Sequence, residues 1–71
     1  MNWDQIQAHW GLFRRRIQLR WPRFTHEQLN GIAGQRAHLV RSLGEVYQLS
    51  PQESERQLAD WQARQRIASA A

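Results

Sequence analysis

Large apolar residues recur along residues 3–21 at the spacing of an α-helix. Successive members are three, four, three, four and four positions apart. With about 100° of rotation per residue, all six fall within an arc of about 80°. They are Trp3, Ile6, Trp10, Phe13, Ile17 and Trp21. The pattern predicts one long N-terminal helix whose aromatic-rich side faces the core.

Local residues predict where this first helix begins and ends. Asn2 is a suitable N-cap, and Asp4 places a carboxylate in the first turn, where the helix dipole favours negative charge. Pro22 disfavours helical backbone in the residue before it. We therefore expect the helix to end near Arg20 or Trp21.

A second helical pattern covers residues 26–47. It follows Thr25, which forms a capping-box pattern with Gln28 three residues later. Gly31 and Gly34 each weaken a helix interior by about 1 kcal/mol relative to alanine. We therefore expect a short helix, then a kink or break near these glycines, and then a longer helix. Whether the segment is one kinked helix or two helices stays open at this stage.

Residues 50–53, with the sequence Ser-Pro-Gln-Glu, predict the start of the last helix. Serine suits the N-cap, proline suits the first helical position and glutamate suits the third. The apolar side of this helix is thin, with Leu58 and Trp61 as its large members. Beyond it, residues 63–71 offer little to bury, so we expect a frayed C-terminal extension.

No segment shows the alternation of β-branched and polar residues that is typical of strands. The sequence predicts an all-α protein, a small compact bundle of three main helices plus a short fourth. We expect a single helical domain over residues 1–62. Its predicted core consists of Trp3, Ile6, Trp10, Phe13, Ile17, Trp21, Leu29, Ile32, Leu39, Val40, Leu43, Tyr47, Leu58 and Trp61.

Composition narrows the class of protein further. The chain has 71 residues, a net charge of +4 and no cysteine, and all ten basic residues are arginine. No apolar run approaches the ~20 residues that span a bilayer, and the N-terminus lacks a secretory signal pattern. We expect a cytoplasmic protein that does not enter membranes.

The positions of several residues resemble the CsbD-like family of small bacterial stress-response proteins. The resemblance covers residues 1–62 without a gap. It rests on Met1, Asn2, Asp4, Gln5, Ile6, Trp10, Phe13, Ile17, Trp21, Phe24, Thr25, Leu29, Ile32, Gly34, Arg36, Leu39, Val40, Tyr47, Ser50, Glu53 and Trp61. The resemblance implies a compact four-helix domain that is abundant under general stress. It implies no reaction and no catalytic residues.

The chain departs from this family at a few positions. Pro22 replaces a typical glycine, and Leu12 and Leu19 replace typically polar residues. Arginine or glutamine stands where the family usually has lysine. The charge balance of the surface therefore differs from that of the family.

Residues able to perform chemistry are scattered along the chain. His9, His26 and His38 lack the spacing of a metal site, and the acids in first helical turns are explained by capping. We therefore expect no enzymatic activity, no metal and no cofactor.

Three features remain as candidates for function or association. Arg36 falls at the centre of an apolar stripe if residues 26–47 are one helix, so we expect a partly buried ion pair, with Asp60 or Glu27 as partner. Leu12 and Leu19 lie one heptad apart opposite the main stripe, which suggests a weak homodimer surface; the alternative is a monomer. The densest basic region, a candidate anion-binding site, comprises Arg14, Arg15, Arg16, Arg20 and Arg23.

These features leave two hypotheses for function. The first is a non-enzymatic bacterial stress-response protein that acts through its abundance or through an unidentified protein partner. The second is a nucleic-acid or polyanion-binding module that uses the arginines of the first helix. Because Arg14, Arg15 and Arg16 point in directions about 100° apart, we expect any nucleic-acid binding to be weak.

Overall fold

Five helices and their short connections make up the computed structural model, which describes residues 2–65. All secondary structure in this part of the chain is helical, so the predicted all-α class is confirmed. The helices are α1 (Trp3–Ala8), α2 (Trp10–Arg20), α3 (His26–Ile32), α4 (Arg36–Tyr47) and α5 (Pro51–Ala63). The predicted extension over residues 63–71 lies, beyond residue 65, outside the described residues.

The N-termini of α1, α3 and α5 form where the local residue pairs predict them. The Asn2 side chain accepts a hydrogen bond from the backbone N–H of Asp4 at 2.6 Å. Thr25 and Gln28 form a complete capping box at the start of α3. The Ser50 hydroxyl accepts from the backbone N–H of Glu53 at 3.1 Å, and Pro51 is the first residue of α5. These caps satisfy N–H groups that have no partner within the helix.

The predicted long N-terminal helix is divided at His9, and this part of the prediction is wrong. His9 has φ −115° and ψ 40°, away from α-helical geometry, and its N–H bonds the carbonyls of both Gln5 and Ile6. In α1, the indole N–H of Trp3 donates to the carbonyl of Gly34 at 2.7 Å.

The second helical segment breaks where its glycines predict a break. Ala33 and Gly34 both have left-handed backbone, with φ of 51° and 80°, and separate α3 from α4. Left-handed backbone is costly for residues with a Cβ and nearly free for glycine. The Gly34 backbone also passes so close to Gln7 that an added Cβ would lie 2.8 Å from the Gln7 Cγ. Residues 26–47 therefore form two helices.

Trp61 of α5 is surrounded by aromatic rings from the first two helices and the turn that follows them. Its ring centroid lies 6.5 Å from Trp3, 6.2 Å from Phe13 and 6.0 Å from Trp21. These separations and tilted or edge-on geometries are those that aromatic pairs prefer. The last helix thus closes the core against the aromatic side of the first two.

Most of the predicted core residues are buried, and four are half-buried at its edge. The half-buried residues are Trp3, Trp10, Val40 and Tyr47. Trp10 donates its indole N–H to the carbonyl of Leu29 at 3.3 Å. The Tyr47 hydroxyl accepts from the backbone N–H of Arg23 at 2.9 Å. These polar atoms hold both rings at the margin of the core, where the rings contact apolar groups on one side.

Phe24 and Ser54, which are outside the predicted core list, have buried side chains as well. Phe24 precedes the Thr25 cap and packs its ring 6.2 Å from that of Tyr47. Ser54 lies in α5 against Gly44 of α4, where an added Cβ would be 3.5 Å from the serine Oγ. The absence of a side chain at Gly44 lets α4 and α5 approach closely at this point.

Candidate functional site

The outward side of α2 carries the candidate functional surface. Phe13 and Ile17 are fully buried, so the opposite side of the helix faces outward. We call this side the arginine–leucine face; it comprises Leu12, Arg15, Leu19 and Arg20, all exposed and within an arc of about 140°. Leu12 is 42% exposed and Leu19 is 84% exposed, and they are the exposed large apolar residues of the described chain.

The charges around this face are strongly segregated along the sequence. Residues 5–26 contain five arginines and no Asp or Glu, whereas the other five arginines share the rest of the chain with all six carboxylates. The three ion pairs of the described residues reflect this division. They join Arg36 to Glu55, Arg56 to Glu53 and Arg64 to Asp60. The α2 region is therefore cationic, while α5 carries much of its charge in neutralised pairs.

The five arginines of the predicted anion-binding group make different contacts. Arg14 donates to the side-chain oxygen of Asn30 at 2.6 Å, on the side of α2 that meets α3. The guanidinium carbons of Arg16, Arg20 and Arg23 lie over aromatic rings, at 5.0, 4.9 and 5.7 Å from the centroids. Such cation–π contacts orient the side chains without neutralising their charge. Arg15 is exposed.

Arg36 forms a partly buried ion pair as predicted, but its partner is Glu55 and not Asp60 or Glu27. Its guanidinium meets the Glu55 carboxylate through two contacts of 2.9 and 2.8 Å, with side-chain exposures of 31% and 52%. Because the chain breaks at Ala33 and Gly34, Arg36 begins a new helix and the continuous-helix geometry does not apply. Asp60, the first guess for its partner, pairs with Arg64 instead.

Hydrogen bonds to arginine shift the pKa of two carboxyls on α5. The Arg56 guanidinium, followed by the Gln57 amide, lowers the pKa of Glu53 from 4.5 to about 2. The Arg36 guanidinium likewise lowers the pKa of Glu55. Both shifts belong to surface ion pairs, which typically stabilise a fold only modestly.

Two cavities lie beside α4. A cavity of about 520 Å³ opens between α3 and α4 and has a largely polar lining that includes Arg23, His38, Ser42 and Glu45. A second, of about 390 Å³, lies between α4 and α5 and is mostly apolar. Ser54 lines this second cavity, and its hydroxyl has no hydrogen-bond partner among the described residues.

Histidines occur only on the surface of the described chain. His9, His26 and His38 are exposed, and no group of three His, Asp or Glu in residues 2–65 is arranged to hold a metal ion. Within the same residues, no helix is both long enough and apolar enough to cross a membrane.

Sequence reasoning missed Glu55 as the partner of Arg36. The two residues are 19 positions apart on different helices, so no local pattern joins them. It also missed the hydrogen bond from the Trp21 indole N–H to the Gln57 side chain, at 3.3 Å. The sequence signal for this bond was weak: Gln57 lies beside Leu58 and Trp61 on the thin apolar side of α5, which places it near the core.

The fold and its surface define a small, all-α helical-bundle protein with an aromatic core. The chain is similar to the UPF0337 protein YjbJ of Escherichia coli K12, with 28% identity over 64 residues, covering 90% of this chain and 93% of the relative. A UPF0337 protein of Nitrosomonas europaea is 29% identical over 58 residues, covering 82% of this chain and 62% of that protein. No protein-family model matches the chain. No solved structure matches it either.

A third relative establishes the family to which the chain belongs. A UPF0337 protein of Protochlamydia amoebophila is 30% identical over 66 residues, which cover 93% of this chain and the whole of the relative. The chain belongs to the UPF0337 family of small bacterial proteins, which is the CsbD-like family that its residues resemble.

Proposed function

We propose that this protein is a non-enzymatic, cytoplasmic protein of the bacterial general stress response, acting through its abundance or through a protein partner. The resemblance to the CsbD-like family supports the link to stress. The observation that carries the proposal is the arginine–leucine face, where exposed leucines and arginines lie together on a helix that contains no Asp or Glu. Exposed apolar groups beside charge are typical of binding surfaces.

The structural roles of the other polar residues support binding over catalysis. Asp4, Glu27 and Glu53 lie in the first turns of helices, where they favour helix formation. Glu55 and Asp60 pair with arginines. Most carboxylates thus have a role in the fold itself.

Weak polyanion binding is a second candidate function. It is favoured by the location of Arg14, Arg15, Arg20 and Arg23, none of which takes part in an ion pair among the described residues. Each phosphate contact adds about 0.9 to the slope of log affinity against log salt on duplex DNA. Fluorescence anisotropy with labelled oligonucleotides at about 50 and 200 mM salt tests this candidate. Sub-micromolar binding at the higher salt would favour it over the first.

The stress role is tested in the bacterium that carries the gene. Targeted mass spectrometry should show a severalfold rise in the protein on entry into stationary phase and after osmotic shock. Deletion should lower survival of the same stresses, and expression of the wild-type chain at its normal level should restore survival. Unchanged abundance together with unchanged survival would overturn the proposal.

A further inference from the structure

The arginine–leucine face has the spacing of a surface that receives another helix. Leu12 and Leu19 are seven residues apart, so they project from the same side of α2 about 10.5 Å apart along its axis. Paired helices contact one another through two apolar positions of each heptad, and Leu12 and Leu19 repeat at one of these positions to form a short apolar seam. Gly11 lies beside this seam with open space around it, so a second backbone can approach closely.

The charge beside the seam specifies the kind of helix that fits. Arg15 lies between the two leucines, and Arg20 follows Leu19. In paired helices, charges that flank an apolar seam select partners of opposite charge. A complementary helix therefore carries apolar residues one heptad apart with Asp or Glu beside them.

A second copy of this chain does not meet that requirement. Pairing two arginine–leucine faces would place Arg15 and Arg20 of both copies together, and residues 5–26 contain no carboxylate to neutralise them. Like charges brought together at an interface oppose association. The face is therefore suited to a different protein and not to a homodimer.

Nucleic acid and membrane fit this face less well than an acidic helix does. Leucines at the centre of the face offer nothing to a phosphate backbone. The Trp21 and Trp61 rings are buried, and the half-buried Trp3 and Trp10 rings lie against the core and donate their indole N–H groups to carbonyls of the fold. Binding in a membrane interface normally uses a broad apolar side with exposed tryptophan or phenylalanine. Here two leucines provide the exposed large apolar groups of the described chain.

We propose that the arginine–leucine face docks an acidic amphipathic helix of a partner protein. Leu12 and Leu19 bury their side chains against apolar residues one heptad apart on that helix, and Arg15 and Arg20 pair with its carboxylates. This inference rests on the proposed function, because it identifies the surface and the partner chemistry through which the stress protein works.

The test uses a synthetic helical peptide as the probe. The fluorescein-labelled peptide is about 21 residues long, or three heptads, and carries two leucines one heptad apart, flanking glutamates, and alanine and glutamine elsewhere. Its binding to the wild-type protein is measured by anisotropy at about 50 and 200 mM salt. A second peptide with lysine in place of glutamate tests the requirement for negative charge.

Three variants of the protein locate the site of binding. Leu12→Gln/Leu19→Gln should weaken peptide binding by about tenfold or more, because it removes the apolar contacts. Arg15→Glu should weaken it by about three- to tenfold. Arg41→Glu is the matched control, since Arg41 is an exposed arginine on α4. All of these positions are exposed, and thermal melts establish that each variant is folded.

The inference holds if the glutamate peptide binds saturably, the lysine peptide does not, and the α2 variants lose affinity while Arg41→Glu keeps it. It is overturned if the glutamate peptide does not bind or if Arg41→Glu weakens binding as much as Arg15→Glu. Tighter binding to a duplex oligonucleotide or to phosphatidylglycerol vesicles would also overturn it. A survival defect in the deletion strain would leave the proposed stress role standing in each of these cases.

Discussion

Gly31 and Gly34 are three residues apart and should respond in opposite directions to the same substitution. Gly31 lies within α3 with no atom within 4 Å of an added Cβ, so Gly31→Ala should stabilise the fold by up to about 1 kcal/mol. Gly34 has φ +80° and lies against Gln7, so Gly34→Ala should destabilise it by more than about 1 kcal/mol. Urea unfolding measures both. Equal effects would contradict the left-handed turn.

Ser50, the N-cap of α5, and Ser54, within α5, offer a second pair of opposite outcomes. Ser54→Ala removes a buried hydroxyl that has no partner among the described residues, so we expect it to stabilise the protein by about 1 kcal/mol. Ser50→Ala removes the N-cap and should destabilise the protein by about 1 kcal/mol. Thermal and urea unfolding of the two variants provide the check. A loss of stability in Ser54→Ala would mean that its hydroxyl has a partner.

At the scale of single residues, the sequence predicts which residues cap the helices better than it predicts which side chains form ion pairs. The Thr25 and Ser50 caps follow from residues within three positions, and both are present. The partner of Arg36 depends on how α4 packs against α5, so Glu55 could not be chosen from spacing. Long-range pairs need the three-dimensional arrangement of helices before they can be assigned.

At the scale of elements, helix boundaries were predictable where a proline, a cap or a glycine marks them. The end of α2 at Arg20 and the break before α4 follow from Pro22 and Gly34. The division at His9 had no such mark, because the apolar spacing of Ile6, Trp10 and Phe13 continues across it. The contact of Trp3 with Gly34 is tertiary, so no local pattern indicates it.

The start of α5 should make stability depend on pH in the acid range. Arg56 and Gln57 hold the pKa of Glu53 at about 2, below its ordinary 4.5. As pH falls, the Glu53 carboxylate therefore becomes protonated in the unfolded chain before it does so in the folded chain. The stabilisation that the ionised Glu53 gives to the fold is present above pH 4.5 and is lost as pH falls towards 2. Urea unfolding at a series of pH values should show that the free energy of unfolding falls less on acidification in Glu53→Gln than in the wild type.

A second variant checks the cause of that pH dependence. Arg56→Gln removes the main hydrogen-bond donor to Glu53 and should also reduce the loss of stability on acidification. If the free energy of unfolding fell on acidification as much in both variants as in the wild type, other groups would control the pH dependence.

At the scale of the whole molecule, Trp61 should contribute more to stability than Trp10. Trp61 is 6% exposed and contacts three aromatic rings, so Trp61→Ala should cost about 3–5 kcal/mol. A domain is typically stable by only about 5–15 kcal/mol, so this loss should unfold much of the population. Trp10 is half-buried at the edge, and Trp10→Ala should cost less. Far-UV circular dichroism during urea unfolding compares them; a greater loss for Trp10→Ala would contradict the structure.

The all-α class of the fold was predictable from the sequence, but the contacts between aromatic rings at the centre of the core were not. The spacing of apolar residues predicts an all-α bundle, because burial of one side of each helix dictates that pattern. The burial of Trp61 was predicted, whereas its contacts with the rings of Trp3, Phe13 and Trp21 could not be read from spacing. The exposure of Leu12 and Leu19 was expected from the same spacing, but the pairing of Arg36, Arg56 and Arg64 with carboxylates is known only from the structure.

We propose that the protein supports survival of stress through the arginine–leucine face. The direct measurement is survival of the deletion strain expressing Leu12→Gln/Leu19→Gln or Arg15→Glu, compared with wild type and the control Arg41→Glu at equal protein levels. We expect wild type and Arg41→Glu to restore survival and both α2 variants to fail, because only those variants alter the proposed docking surface. Full restoration of survival by the α2 variants would contradict the claim.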